Sequence, residues 1–327
     1  MKAFVTGATG CVGANVVAAL VEKGYAVRAM RRESSRLDAL EGLAVELVTG
    51  DLMDRASLER AMDGCAWVFH VAAISDYWRT PTERIYHVNV TGTRHVLAAA
   101  AAVGVERLVY TSSVGALGVP ENGRWLTEAD TFNLPEGRFP YGHSKHLAEE
   151  AVRAAVAAGL DAVVVNPAVA IGPRDVHWIG GSLLREAQRG GTWFAPPGGT
   201  CWASAVAIGR GHVLAAERGR TGERYILGGD NLTHRRAFEI VVQIVGGRAP
   251  RVVLPGFLTS LVETGLRGLQ RIPGLALPFS GEQVWLGARE IYCDSTKAVR
   301  DVGYELVSFE DAVEEAYRWY RERGWMA

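Results

Sequence analysis

The sequence of 327 residues has few cysteines and almost no net charge, and each shortage argues against a class of protein. Its four cysteines are widely scattered and form no C-x-x-C pair, so a disulfide scaffold and a cysteine metal site are not expected. A reduced intracellular compartment fits this pattern best. The formal net charge of −1 gives no bulk attraction to nucleic acid or to an anionic membrane. We therefore expect no nucleic acid, no membrane and no metal as a partner.

Long apolar segments are also missing. The longest apolar run, over 96–105, is mostly alanine and is far shorter than the roughly 20 residues that span a bilayer. Residues 1–5 lead directly into a strand pattern, without the basic and apolar regions of a signal peptide. Apolar and charged contents of 48% and 22% are those of an ordinary globular protein, so we expect a cytoplasmic location.

The first half of the chain alternates short apolar runs with longer helical patterns. The predicted strands are 2–6, 25–30, 43–48, 66–72, 105–111 and 160–167, and the predicted helices are 11–23, 54–63, 82–103 and 140–158. Continuous apolar strands separated by helices are typical of a parallel sheet that is covered on both faces. Right-handed crossovers then give an α/β, doubly wound (Rossmann) fold.

After Pro167 the pattern becomes irregular, and Gly, Pro and Trp are frequent between 172 and 204. The elements predicted there are a helix over 205–217, a strand over 223–229, a proline-punctuated helical region over 233–290 and an amphipathic helix over 308–323. We expect a dinucleotide-binding domain over 1–167, to which 205–230 returns. Residues 168–204 and 231–327 would then form a smaller, mainly helical substrate domain.

A glycine motif lies between the first strand and the first helix, where TGATGCVG places Gly7, Gly10 and Gly13 in a G-x-x-G-x-x-G pattern. Gly7 would permit the tight turn, Gly10 the approach of a pyrophosphate, and Gly13 close packing of helix on sheet. The helix N-terminus would offer free N–H groups and a positive dipole end to the phosphates. This context predicts a dinucleotide site.

The choice of dinucleotide depends on the residues after the second strand. An NAD site has an acidic residue there for the ribose 2′-hydroxyl, whereas an NADP site has arginine for the 2′-phosphate. This chain has Arg31 and Arg32, which favour NADP, while Glu33 leaves NAD as the alternative. Asp51, after the third strand, could accept from the adenine amino group or cap the helix that follows.

Several segments together resemble the extended short-chain dehydrogenase/reductase family, also called the NAD-dependent epimerase/dehydratase family, over nearly the whole chain. They are TGATGCVG, GDLMD, VFHVAA, YHVNVTGTRHVLAAA, VERLVYTSSV, YGHSK and NPAVAIGPRD. Within the family the chain is most similar to the dihydroflavonol-reductase-like branch, including the hopanoid-associated sugar-epimerase-like proteins. The segment ERGRTGERYILGGDNLTHR resembles the latter.

The resemblance implies a catalytic set of Ser113, Tyr141 and Lys145. Hydride transfer to a ketone leaves a developing alkoxide, to which Tyr141 would give a proton. The Lys145 ammonium, one helical turn away, is expected to lower the tyrosine pKa toward about 7, which requires roughly 4 kcal/mol. Ser113 would donate a hydrogen bond to the same oxygen. Asn89, in HVNVTGT, is expected to be structural.

The remaining site residues follow from the glycine motif and the resemblance. The expected cofactor-binding residues are Gly7, Thr9, Gly10, Cys11, Val12, Gly13, Arg31, Arg32, Asp51, Leu52, Val71, Ala72, Ala73, Thr111, Tyr141, Lys145, Pro167, Ala168 and Val169. The expected substrate residues are Trp78, Ser113, His177 and Trp178, with Trp193, Trp202 and Trp285 as further candidates. Such aromatic residues favour an apolar or aromatic carbonyl compound over a nucleotide sugar.

One segment departs from the family. Relatives carry His and Asp in a V-H-V-x-D-V-A-type run, whereas residues 203–212 read ASAVAIGRGH. This difference either alters the substrate site or simply fills the same helix start.

We expect an NADP-dependent ketone or aldehyde reductase. The alternatives are a nucleotide-sugar epimerase or dehydratase with bound NAD and a non-catalytic NADP(H)-binding regulator. The amphipathic patterns over 86–103 and 143–158 indicate core packing first, and the resemblance to the family implies that these two helices also form the seam of a homodimer.

Overall fold

The computed structural model describes residues 1–190, 194–269 and 280–327, so Trp193 and part of the predicted helical region lie outside the described residues. The strands are β1 (Lys2–Thr6), β2 (Ala26–Arg31), β3 (Glu46–Thr49), β4 (Trp67–His70), β5 (Arg107–Thr111), β6 (Ala162–Pro167), β7 (Val169–Ile171), β8 (Phe194–Ala195), β9 (Gly199–Ser204), β10 (Arg224–Leu227), β11 (Asp230–Thr233), β12 (Val252–Val253) and β13 (Glu290–Ile291). Seven of them form a parallel sheet in the order β10-β6-β5-β4-β1-β2-β3, which confirms the predicted doubly wound α/β fold.

The helices are α1 (Cys11–Glu22), α2 (Arg55–Met62), α3 (Thr82–Tyr86), α4 (Gly92–Val103), α5 (Pro140–Ala157), α6 (Ser182–Gln188), α7 (Ala205–Arg218), α8 (His234–Val245), α9 (Gly256–Leu269), α10 (Gly281–Gly287), α11 (Thr296–Val302) and α12 (Phe309–Glu322). The single helix predicted over 82–103 is wrong in one respect, because a π-helical turn over His87–Thr91 separates α3 from α4. Within this turn the Thr93 hydroxyl donates to the Asn89 carbonyl over 2.6 Å, which competes with the regular helical hydrogen bond.

The central sheet has an apolar core on each face. Along β1, Ala3 and Val5 belong to one core, while Phe4 belongs to the other, as the alternation of a strand requires. Helices α1 and α7 pack against each other on the first face, and α2 and α4 pack together on the second. The loops at the carboxyl ends of these strands therefore meet at one edge, where ligands bind in open α/β sheets.

The second half of the chain contains small sheets that the sequence did not predict. Strand β9 pairs with β7, β11 and β13, while β8 pairs with β12. These strands have two to six residues and pair across long separations, so they leave little periodicity in the sequence. The division into two domains stays a prediction. Among the described residues, no helix combines the length and the apolar character that crossing a membrane requires.

Candidate active site

The glycine motif forms the turn between β1 and α1. Gly7 has a positive φ of 66°, and a Cβ added to it would lie 2.6 Å from the Ala72 nitrogen. A Cβ added to Gly13 would lie 2.1 Å from the Gly7 carbonyl oxygen. Both contacts are too short for any side chain, so the turn and its packing against the end of β4 require glycine at both positions.

The outer side of this turn is open. Gly10 is the N-cap of α1 and provides no side-chain cap, and a Cβ added to it would meet only the Gly7 carbonyl, at 3.5 Å. The first N–H groups of the 12-residue α1 are therefore available to an anion, with Thr9, Cys11 and Val12 around them. This open cradle fits the pyrophosphate of a dinucleotide. Burial raises the thiol pKa of Cys11 well above the ordinary value, so this side chain is a neutral thiol, and its contact with the cofactor stays a prediction.

A surface cleft of about 530 Å³ follows β2 and β3, where the adenosine end was predicted. Arg32, Glu33 and Asp51 line it. Arg31 instead turns its Nη1 toward the main-chain carbonyls of Arg32 and Glu33, each at 3.4 Å, so Arg32 is the arginine beside the cleft. An anion such as a 2′-phosphate fits the Arg32 guanidinium.

Asp51 and Leu52, which were predicted to contact the adenosine end of the cofactor, make contacts within the protein. Asp51 does not cap the following helix, as one interpretation of the sequence had it, because Asp54 accepts from the Ser57 N–H as the N-cap of α2. Asp51 accepts instead from the Met53 N–H over 2.9 Å. Leu52 is buried, and its carbonyl oxygen lies 2.9 Å from the Nδ1 of His95. The roles of Asp51 and Leu52 in cofactor binding stay predictions.

The segment after β4, Val71–Ala73, is held by a buried hydrogen-bond network. Thr6 Oγ1 accepts from the Val71 and Ala72 N–H groups at 3.1 and 3.2 Å, so its proton is directed to His70 Nδ1 at 2.9 Å. His70 Nε2 then donates to Thr93 Oγ1 over 2.9 Å. Burial, followed by the nearby Lys145 charge, lowers the His70 pKa to about 3, so this histidine is neutral.

Asn89 ties this segment to α5, the helix that carries Tyr141 and Lys145. Its side chain accepts from the Ile74 N–H at 2.8 Å and donates to the Ser144 hydroxyl at 3.0 Å. Ser144 in turn donates to the Tyr141 carbonyl over 2.7 Å. These contacts agree with the structural role predicted for Asn89, because they link the wall of the cofactor site to the first turn of α5.

Ser113 and Tyr141 lie against each other at the carboxyl edge of the sheet. Ser113 follows β5, and Tyr141 is the second residue of α5, after Pro140 at its first position. Burial raises the pKa of Tyr141, and a hydrogen bond with the Ser113 side chain acts in the opposite direction. The Tyr141 pKa is thus raised and not lowered toward 7 as expected, because the cost of burying a phenolate dominates.

Lys145 is 2% exposed, and its ammonium donates to the Thr111 carbonyl over 2.6 Å. It also lies 4.7 Å from the centre of the Tyr110 ring. Burial lowers the Lys145 pKa to about 7, against the raising effect of the Glu149 carboxylate. Near neutral pH this side chain can therefore carry or release a proton.

His212 is a supporting residue that the sequence did not identify. Its Nε2 lies 2.9 Å from Thr111 Oγ1, and its Nδ1 lies 2.7 Å from the Ile208 carbonyl. A carbonyl can only accept, so Nδ1 carries the proton and Thr111 donates to Nε2. The Thr111 side chain is thus occupied on the α7 side, and its predicted cofactor contact is untested. The atypical segment before His212 provides the α7 N-cap, Ser204.

A buried acid also supports the site. Glu149 is fully buried on α5, where its Oε1 accepts from Asn166 at 2.7 Å and its Oε2 pairs with Arg224 at 3.2 Å. The Asn166 amide also donates to the Ser113 carbonyl over 3.0 Å. Sequence reasoning missed this network, although Tyr141, Lys145 and Glu149 follow one another at intervals of four on one helix face.

An aromatic wall borders Tyr141. The Tyr77 and Tyr141 rings are stacked, with centroids 5.8 Å apart, and Phe139 meets both rings edge-on at 5.3 and 5.9 Å. Trp78 contacts Tyr77 edge-on at 5.3 Å. Trp78, which was predicted to contact the substrate, therefore lies next to this wall and contacts it through the Tyr77 ring. Sequence reasoning missed Tyr77 and Phe139, although Tyr77 adjoins Trp78 and Phe139 lies two residues before Tyr141.

The other predicted substrate residues lie in varied surroundings. The Trp178 ring stacks on Tyr320 with centroids 4.1 Å apart, and Trp202 packs on Phe309 at 5.1 Å. His177 is exposed. In Pro167–Val169, at the end of β6, the Ala168 N–H donates to the Leu227 carbonyl over 3.1 Å. A contact of any of these residues with a ligand stays a prediction.

Comparisons with known proteins agree with this geometry. The model of the NAD dependent epimerase/dehydratase family matches residues 3–228. A protein of Synechocystis sp. named "Putative dihydroflavonol 4-reductase" is 38% identical, over 99% of this chain and 95% of the relative. "Sterol demethylase protein B" of Methylococcus capsulatus is 33% identical, over 99% of each chain.

A solved structure, that of gox2253, has the same architecture. It superposes with a TM-score of 0.88 at 34% identity, and the match covers 100% of this chain and 99% of the other. Family, fold and whole-length relatives thus agree with one another. The chain belongs to the NAD dependent epimerase/dehydratase family, the extended short-chain dehydrogenases/reductases, and it is an NAD(P)-dependent oxidoreductase acting on a small molecule.

Proposed function

We propose that the protein is an NADP-dependent reductase of ketones or aldehydes. The observation that carries the proposal is the meeting of the Ser113 hydroxyl and the Tyr141 phenol in a buried site, with the Lys145 ammonium on the same helix face. A donor, an acid and a cation are the groups that a carbonyl oxygen needs when it gains negative charge.

The cofactor-binding part of the proposal rests on the open cradle at α1. The N–H groups around Gly10 would hold the pyrophosphate, and Arg32 would pair with the 2′-phosphate of NADP. Lys145 would contact the ribose hydroxyls of the nicotinamide half. When bound, the reduced cofactor supplies the hydride.

The protein's own residues would control the proton. Because burial raises its pKa, Tyr141 is a neutral phenol at physiological pH and can give its proton to the carbonyl oxygen. Ser113 would donate a second hydrogen bond to that oxygen. Lys145 would stabilise the phenolate that remains, because it lies one helical turn away. In the reverse reaction the same tyrosine, once ionised, would take up the proton of the alcohol.

The aromatic wall supports an apolar or aromatic substrate. Tyr77 and Phe139 place flat apolar surfaces beside Tyr141, as pockets for such molecules do. The names of two relatives, a dihydroflavonol 4-reductase and a sterol demethylase protein, refer to polycyclic compounds. A nucleotide-sugar epimerase or dehydratase with bound NAD is the second candidate, because the family description includes both activities.

Purification followed by two assays tests the proposal. The nucleotide that co-purifies is identified, and NADPH and NADH oxidation is followed against a panel of flavonoid, steroid and aliphatic ketones. We expect NADPH oxidation that Tyr141→Phe abolishes while NADPH binding persists. Tightly held NAD without net turnover would refute the reductase and support the epimerase. NADPH binding with no turnover of any ketone would favour a regulator.

A further inference from the structure

The Lys145 ammonium rests on the face of the Tyr110 ring inside the protein. Both residues are buried, with exposed fractions of 2% and 0%. The ammonium nitrogen lies over the ring, 4.7 Å from its centre, which is within the roughly 6 Å at which an aromatic face attracts a cation. A lysine whose stem is buried normally extends its ammonium to water. Here the charged group instead meets an aromatic surface.

The central sheet holds the Tyr110 ring in place. Tyr110 lies on β5, where it is the direct partner of His70 on β4 and of Val164 on β6. The His70 ring packs against the Tyr110 ring with centroids 5.6 Å apart. Tyr110 is therefore held from both neighbouring strands, and its ring is a fixed surface for the flexible lysine side chain.

The residue after Tyr110 provides the second contact of the ammonium. Within the described part of the chain, its one hydrogen bond is donated to the Thr111 carbonyl over 2.6 Å. Thr111 directly follows Tyr110 on β5, so adjacent residues of one strand provide the ring and the carbonyl. An ammonium has three N–H donors, so two remain. They suit the ribose hydroxyls that the proposed function assigns to Lys145.

Four titratable side chains surround Lys145, namely Tyr141 and Glu149 on α5, Tyr110 on β5 and His70 on β4. Burial raises the pKa of both phenols and lowers the His70 pKa to about 3, so these three are neutral. Glu149 favours the ammonium from a distance, because no carboxylate among the described residues lies within ion-pair distance of Lys145. In that part of the chain, the ring and the carbonyl are the direct contacts that favour the charged form.

We infer that Tyr110 is a positioning residue, whose ring face keeps the Lys145 ammonium charged and fixed at the end of β5. This role rests on the one proposed for Lys145 in the reduction. It extends the site beyond Ser113, Tyr141 and Lys145 to the strand beneath them. A tyrosine that merely filled the core would be replaceable by any apolar side chain of similar size without an effect on the lysine.

Side-chain NMR of Lys145 tests this inference. The chain has four lysines, so protein labelled with ¹³C at lysine Cε gives four signals, and Lys145→Met identifies the one from Lys145. Tyr110→Leu and Tyr110→Met remove the ring and should lower the Lys145 pKa by about one unit, the size of a desolvated cation–π contact. Tyr110→Phe keeps the ring and should keep this pKa.

Leu108→Ala is the matched control for loosening of the core. Leu108 is fully buried in the same apolar core and lies two residues earlier on the same strand face. This change should lower the free energy of unfolding without moving the Lys145 pKa. An unchanged or raised Lys145 pKa in both Tyr110→Leu and Tyr110→Met would overturn the inference. An equal shift in Tyr110→Phe or in Leu108→Ala would overturn it as well.

The pH profile of kcat/KM with NADPH extends the test to catalysis. Because the charged lysine is the proposed active form, kcat/KM should fall as Lys145 loses its proton, and Tyr110→Leu should move this fall about one pH unit toward acid. Tyr110→Phe should leave its position unchanged. A shifted Lys145 pKa without a shifted profile would overturn the positioning role. Absence of ketone turnover even by the unmodified protein would refute the proposed function, whereas the NMR titration would still decide whether Tyr110 keeps Lys145 charged.

Discussion

The buried ammonium of Lys145 should make the protein less stable than it would be without it. Lys145 is 2% exposed, has no carboxylate within ion-pair distance among the described residues, and has a pKa lowered from 10.5 to about 7. At ~1.4 kcal/mol per pKa unit, burial of the charged form costs about 5 kcal/mol of folding free energy at low pH. The active site thus contains a group that opposes folding.

Lys145→Met removes this charge and keeps an unbranched apolar stem. The substitution also leaves the Thr111 carbonyl without its partner, which costs roughly 1.5–3 kcal/mol, so the net gain near pH 6 should be about 2–3 kcal/mol. The sign of the pH dependence is fixed. The unfolded chain keeps the proton up to its pKa of 10.5, while the folded chain releases it near 7, so the unmodified protein gains stability between these values. The difference in the free energy of unfolding between Lys145→Met and the unmodified protein should therefore fall by about 3 kcal/mol between about pH 6 and about pH 9.

Urea denaturation of both proteins at the two pH values, followed by tryptophan fluorescence, measures this difference. The matched control is Lys23→Met, because the Lys23 ammonium lies at the surface in a 2.6 Å ion pair with Glu217. The control should show no comparable gain in the free energy of unfolding. An equal gain for Lys145→Met at both pH values would refute the reasoning, since the charge of Lys145 would then not be its source.

Two further predictions concern the cofactor cleft and the buried acid. Arg32→Glu should lower kcat/KM with NADPH by roughly tenfold to a hundredfold and spare that with NADH, because one charged hydrogen bond to the phosphate is lost; equal loss with both cofactors would contradict this. Glu149→Gln should lower the free energy of unfolding by about 3–5 kcal/mol, since Arg224 loses its buried partner, as chemical denaturation would show. The same change should lower the Lys145 pKa further and displace the pH profile of kcat/KM toward acid; an unchanged profile would contradict it.

The sequence predicted those parts of the site that depend on local spacing. Continuous apolar runs gave the strands of the central sheet, because residues on both faces of a parallel sheet are buried. Gly7 and Gly13 were recognisable because a turn between strand and helix imposes its own residue type. Tyr141 and Lys145 lie on one helix, so their spacing alone places them on one face.

Other parts depend on contacts between distant segments. Asn166 and Arg224 reach Glu149 from two different strands, and His212 reaches Thr111 across 101 residues. Contacts between such distant segments leave no periodic pattern in the sequence. The exposure of Phe257 and Leu261 on α9 was not predicted for a related reason. A helical apolar pattern predicts a helix with one apolar side, but it does not say whether that side meets the core or the solvent.

The pKa values of Tyr141 and Lys145 bear on the proton transfer that we propose. In water a lysine ammonium and a tyrosine phenol lose their protons at similar pH, near 10. Here burial acts on them in opposite senses, because it disfavours the charged form of each: it raises the Tyr141 pKa and lowers that of Lys145 to about 7. The uncharged phenol is then the resting form, ready to act as an acid, and Lys145 can take up or release a proton at neutral pH. In the proposed reduction, this neutral phenol is the form that can give its proton to the carbonyl oxygen.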